Sequence, residues 1–198
     1  MSAKITCHCG ACGFEIEDGQ PTLSLLCGCT DCRHALEWCA KNGGLEPLSM
    51  PELIYVKSDI ICTIGPEFMQ AFQLRHNARS TRVYCKECFS IIGVDHKSYR
   101  DNVFMFFKNY CVTTCDLSIR PSAAIYLNDL KDVNQIDDLE TIPLIFNFSQ
   151  KEIQQFRSIS AVSESFNEIK RARYGQTLKS VIKSISRIEI SNLQKYAR

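Results

Sequence analysis

Apolar residues recur at every second position in several short stretches of the chain. Gly13-Phe14-Glu15-Ile16-Glu17 alternates and predicts a short strand. Glu52-Leu53-Ile54-Tyr55-Val56, entered through Pro51, predicts another. Ala71 to Arg75 and Ser80 to Tyr84 follow at hairpin spacing, and Ser90 to Val94, Asn102 to Phe107 and Ala123 to Leu127 extend the series. Asn42-Gly43-Gly44 and Ile64-Gly65-Pro66 supply turn signals between them. Many short strands joined by turns predict an all-β body. Ile136 to Leu139 reads as one helical turn.

The period changes after Ser149. Ile153, Phe156 and Ile159 recur at helical spacing, with Ser149 at the N-cap position and Glu152 three residues on. Leu178, Ile182, Ile185 and Ile188 repeat three or four apart, which predicts a second helix. The break falls near Tyr174-Gly175. Composition shifts at the same boundary. Residues 1–148 hold 13 basic and 18 acidic residues, whereas residues 149–198 hold 10 basic and 4 acidic ones. All twelve cysteines, all six prolines and eight of nine glycines precede the boundary. The chain therefore divides into a β domain over residues 1–147 and a basic helical extension over residues 148–198. The simplest role for the extension is to pack its apolar stripe on the acidic body. A basic helix can also meet a membrane surface or an acidic partner.

With 198 residues and a net charge of +1, the chain is long enough for a sizeable core and gives no sign of nucleic-acid binding. The densest apolar run, Val103 to Phe107, is far shorter than the roughly 20 residues of a membrane span. The first seven residues contain no signal-peptide hydrophobic stretch, so a cytoplasmic, reducing compartment is expected. Composition does not define an oligomeric state.

Cysteine alone is extreme, at about 6% of the chain, below the density of a small disulfide scaffold. In a reducing compartment, clustered cysteines point to metal or chemistry. Cys7-His8-Cys9-Gly10-Ala11-Cys12 and Cys27-Gly28-Cys29-Thr30-Asp31-Cys32 share the pattern C-x-C-x-x-C, and Cys85-Lys86-Glu87-Cys88 is C-x-x-C. Such spacing lets several thiolates reach one ion, and zinc favours soft sulfur donors in tetrahedral sets. Spacing alone leaves two allocations open: two closed four-cysteine sites, or one closed site and one three-cysteine site with an open position. Cys62, Cys111 and Cys115 sit in apolar or Thr-rich surroundings and read as buried free thiols, as does Cys39 unless it serves as an extra ligand.

At these residues the chain resembles the glutathione-dependent formaldehyde-activating family, which includes centromere protein V. The resemblance rests on Cys7-His8-Cys9-Gly10-Ala11 leading into Phe14-Glu15-Ile16, on Cys27 to Cys32 followed by Arg33, and on Tyr84 before Cys85 and Cys88. Arg120 to Leu127 looks like the family's final strand, followed by Asp137 and Asp138. It covers about residues 3–145. It implies a mainly β fold, a zinc-stapled β-tent of short antiparallel sheets. It implies a structural zinc on Cys7, Cys9, Cys85 and Cys88, and a second zinc on Cys27, Cys29 and Cys32 with an open position, hence two zinc ions per chain and a spare Cys12. Two departures stand out. Phe89 occupies a position where the family has Gly, and Gly tolerates positive φ better. The segment His34-Ala35-Leu36-Glu37-Trp38, expected to border the open zinc, is bulkier than the family's small polar residues.

The implied activity is that of a carbon–sulfur lyase, condensing a thiol such as glutathione with formaldehyde into S-hydroxymethylglutathione without a redox cofactor. Candidate catalytic residues are the zinc-bearing Cys27, Cys29 and Cys32, with His34 close enough in sequence to act as an acid or base. Asp31 reads equally as a turn-capping residue, and Arg33 as a solvated side chain or a carboxylate partner. His8 is expected to point away from the metal, and His76 and His96 carry no motif. The alternative is a non-catalytic zinc-stabilised binding module whose basic tail meets an acidic partner.

Overall fold

A computed structural model describes residues 1–130, 141–167, 174–185 and 187–192. Ile136 to Leu139, with Asp137 and Asp138, lie outside the described residues. The fold is mainly β. Thirteen strands are described: β1 (Ala3–Thr6), β2 (Gly13–Ile16), β3 (Leu23–Cys27), β4 (Glu52–Lys57), β5 (Ile60–Ile64), β6 (Met69–Gln73), β7 (Ser80–Cys85), β8 (Ile91–His96), β9 (Val103–Phe107), β10 (Val112–Thr113), β11 (Ala124–Ile125), β12 (Leu144–Ile145) and β13 (Ile188–Ile190). Four helices accompany them: α1 (Thr30–Lys41), α2 (Gln150–Ser158), α3 (Ser160–Asn167) and α4 (Leu178–Ser184).

The strands form a small sheet, β10-β1-β2-β5, and a large one, β12-β11-β3-β4-β9-β8-β7-β6-β13. The large sheet is mixed rather than purely antiparallel, because β11 runs parallel to β3 and β12, and β13 runs parallel to β6. Its central strands are buried on both faces. Leu53, Tyr55, Met105 and Phe107 belong to one core with Leu36 of α1. Ile54, Val56, Phe104 and Phe106 belong to a second core with Ile5 and Phe14 of the small sheet and Leu178 of α4. A strand buried on both sides reads as a continuous apolar run, which accounts for Val103 to Phe107.

The body also contains α1, which the expectation of an all-β body left out. Cys32, Ala35, Leu36 and Cys39 are its buried positions, at i, i+3, i+4 and i+7. Two of those four are cysteines, so the stripe is concealed when cysteine is read as a ligand. One cysteine expectation also changes, at Cys62. It is exposed on β5, an edge strand of the small sheet, rather than buried. Cys111 and Cys115 are buried free thiols.

Beyond residue 148, α2 begins with a capping box. Ser149 Oγ accepts from the Glu152 amide, and the Glu152 carboxylate accepts from the Ser149 amide. The second apolar repeat ends earlier than its spacing predicts. The helix α4 stops at Ser184, and Ile188 lies on β13, not on the helix. The alternation Ile188-Glu189-Ile190 suits a strand, and β13 covers the otherwise open edge of β6. The segment is fastened to the body at Asp59, whose carboxylate accepts from the amides of Tyr174 and Gly175. A Cβ on Gly175 would meet the Ile60 carbonyl, so only glycine allows this approach. Ser58 Oγ then accepts from the Leu178 amide. Among the described residues no helix is long and apolar enough to cross a membrane.

Candidate metal centres and the adjoining cavity

Cys7 and Cys9 lie on the turn between β1 and β2, while Cys85 ends β7 and Cys88 lies on the turn to β8. The first pair comes from the small sheet and the second from the large one, and their four sulfurs lie within 4.8 Å of one another. Two local turns aim them. Gly10, at φ +77°, closes the first, where the Gly10 amide donates to the Cys7 carbonyl and the Cys7 amide to the Cys12 carbonyl. The second is closed by the Phe89 amide donating to the Cys85 carbonyl. Phe89 keeps the left-handed conformation at φ +54°, which is costly for a residue with a Cβ. Its ring stacks on Tyr84 at 5.7 Å and meets Trp38 edge-on at 5.9 Å, and this packing offsets the strain. Ser90 joins the turns, since its hydroxyl lies 3.2 Å from Cys88 Sγ and accepts from the His8 amide.

This group is electrostatically uneven. Burial opposes ionisation of Cys88, but hydrogen bonds from Ser90 and neighbouring groups outweigh it and bring the thiol down to about 6. At Cys9 the Ala11 backbone favours the thiolate, yet burial and the thiols of Cys7, Cys88 and Cys85 lift it to about 12. Cys12 is buried beside the group, its amide donating to Cys7 Sγ, and stands outside the four-thiol set. His8 turns away, with Nε2 at 3.3 Å from the Asn109 carbonyl.

The second group lies in the other core. Cys27 ends β3, Cys29 is the N-cap of α1, and Cys32 lies in its first turn. Their three sulfurs also fall within 4.8 Å. Gly28 lets the chain pass, because a Cβ there would stand 2.9 Å from the Leu130 side chain and 3.0 Å from the Tyr126 carbonyl. Cys29 Sγ accepts from the Cys32 amide, as an N-cap oxygen would. Hydrogen bonds from Cys27 and Cys32, with help from the Arg82 charge, hold Cys29 well below the usual thiol range. Cys27 is raised, first by the Cys29 thiolate and then by Cys32 and burial. The set thus stabilises one thiolate, and a bound dication would draw off the remaining protons.

The three-thiol group borders a cavity of about 710 Å³, which the four-thiol group does not reach. Leu25, Leu53, Met105 and Ile125 form its apolar floor. Tyr55 and Tyr99, hydroxyls 3.0 Å apart, line it and stay protonated because burial raises both. His96 lines it too. Burial, then the charges of Arg79 and Arg82, hold it down to about 4, and its Nδ1 accepts from the Ser98 amide.

Several sequence expectations are relocated. His34 is half-buried on α1 and is not among the lining residues. Trp38, expected to border the open metal position, instead stacks on Phe72 at 4.4 Å and braces α1 against β6 and β7. Arg33 is half-buried and engaged within the chain, donating to the carbonyls of Gly28 and Asp129. Asp31 forms a two-pronged pair with Arg75 at 3.0 and 2.8 Å. Cys39 is buried on α1, outside both thiol sets, and burial pushes it up to about 12. The residues sequence reasoning missed are the cavity's arginines, Tyr55, Tyr99 and His96. None has a motif, and only the folding of distant strands brings them together.

Both thiol sets suit a thiophilic dication, four donors making a closed set and three leaving a position for another ligand. No protein-family model matches this chain, and no curated protein is significantly similar to it.

Proposed function

We propose that the chain is a zinc-dependent, carbon–sulfur lyase-like enzyme that joins a thiol such as glutathione to formaldehyde or a related aldehyde. The observation that carries this reading is the contrast between the two thiol sets: four sulfurs away from the cavity, and three sulfurs on its wall. In this reading Cys7, Cys9, Cys85 and Cys88 hold a structural zinc that staples the two sheets of a β-tent, and Cys27, Cys29 and Cys32 hold the second. A zinc ion on the three thiolates supplies a site where a substrate thiol is kept ionised at neutral pH.

The chain's own groups then have separate tasks. Arg82 and the N-terminus of α1 place positive charge beside the thiols, which favours anionic sulfur there. The protonated Tyr55–Tyr99 hydroxyl pair, in which one O–H donates to the other, gives the cavity a polar wall for the oxygen that gains charge as the aldehyde is attacked. Neutral His96 is a further acid–base group in the cavity, where His34 does not reach. The reaction balances without an oxidant: a carbon–sulfur bond forms, the carbonyl π bond opens, and the thiol proton ends on the oxygen.

A non-catalytic zinc module with a basic tail free to meet an acidic partner is the competing reading. The packing of the tail favours the enzyme, since α4 and β13 are built into the body. Cobalt substitution distinguishes the two. Adding glutathione to the cobalt protein is expected to change its visible spectrum; an unchanged spectrum would refute a thiol-accepting second site.

A further inference from the structure

The segment beyond residue 148 lies outside the family resemblance, yet it forms part of the cavity wall. Phe148, Phe156 and Arg157 line the cavity from the start and body of α2, and Val162 and Ser163 from α3. Tyr126, Phe148 and Phe156 make a continuous aromatic surface, with successive ring centroids 4.7 and 5.2 Å apart.

Charge along the lining is lopsided. Five arginines line the cavity, Arg75, Arg79, Arg82, Arg100 and Arg157, against the single acid Asp31. Two of them are answered. Arg75 is paired with Asp31. Arg82, only 2% exposed, lies 5.9 Å over the Phe72 ring and acts on the thiol group. Arg79, Arg100 and Arg157 have no carboxylate partner among the described residues. They come from three separate places, the turn before β7, the turn after β8, and α2. Like charges along one cleft repel, and a cleft so lined draws anions in.

We propose that the cavity is an oxyanion-recognition site and that the C-terminal helices make it selective. It takes a ligand bearing a carboxylate or a phosphate, whose charge is met by Arg79, Arg100 and Arg157 and whose body packs on Phe148 and Phe156. This deepens the reading of the same cavity and rests on it only for the sulfur end of the ligand.

Titration calorimetry of the full chain with succinate, inorganic phosphate and glutathione tests it. At least one of the two sulfur-free oxyanions is expected to bind and to compete with glutathione, and the tighter of them identifies the charged group. Arg157→Gln, at an exposed position of α2, is expected to weaken that binding about fivefold to tenfold with the circular dichroism spectrum unchanged. Failure of both oxyanions to bind or compete would overturn the inference, as would unaltered binding by Arg157→Gln. Oxyanion binding that persists while glutathione fails to shift the cobalt spectrum would count against the thiol reading and leave this inference standing.

Discussion

Phe89 and His96 show how single residues here answer to their surroundings rather than to their sequence neighbours. Phe in place of the glycine that the resemblance asks for at position 89 raises the expectation of an altered turn, yet Phe89 keeps the left-handed conformation at +54°. What the sequence does not reveal is the compensation, a ring held between Tyr84 and Trp38, because Trp38 arrives from a helix 51 residues upstream by way of the tertiary fold. His96 has no motif around it, and its significance is wholly tertiary. Burial and then the charges of Arg79 and Arg82 lower it to about 4, so it is neutral in the folded protein at neutral pH. The unfolded chain, with an ordinary imidazole near ~6.5, takes up a proton first as the pH falls. This group's contribution is therefore present above about pH 6.5 and is lost progressively as pH falls toward about 4. His96→Gln is expected to lose less of its urea midpoint than the parent between about pH 7 and pH 5. Equal losses in the two proteins would contradict the assignment.

At the scale of elements, alternation made β2, β4, β6, β7, β8 and β9 legible, each within a few residues of its observed range. The strands β1 and β3 carry the same signal in Ala3 and Ile5 and in Leu23, Leu25 and Cys27, but both are short and border the cysteine clusters. The helix α1 was concealed for a related reason: half of its buried stripe is cysteine, Cys39 serving packing alone and Cys32 belonging to the three-thiol set as well. The capping box at Ser149 was readable because capping is local. The strand β13 was not, because its pairing with β6 spans more than 100 residues. The helix α4 packs into the second core through Leu178, which is fully buried and would touch a Cβ placed on Gly93. Leu178→Ala is expected to destabilise the protein by about 3 kcal/mol in urea unfolding. A change below about 0.5 kcal/mol would mean that the tail is a detachable appendage.

The whole molecule is a large mixed sheet with a core on each face, and the two thiol groups belong to opposite cores. The cysteine motifs alone left two allocations open, the family resemblance implied sets of four and three, and the folded chain brings each of those sets within 4.8 Å. The cavity was illegible, since its wall draws on β3, β4, β7, β8, β9, β11, α1, α2 and α3. The proposed function requires that one set is a closed structural centre and the other an open one. Its most direct test is metal content per chain by elemental analysis, on protein made without a metal-binding tag and passed through a mild chelator, for the parent, Cys29→Ser and Cys85→Ser. About two zinc ions are expected for the parent and about one for a folded Cys29→Ser, with Cys85→Ser failing to fold because a structural zinc supplies folding free energy directly. One zinc or none in both the parent and Cys29→Ser, or equal unfolding of the two variants, would contradict it.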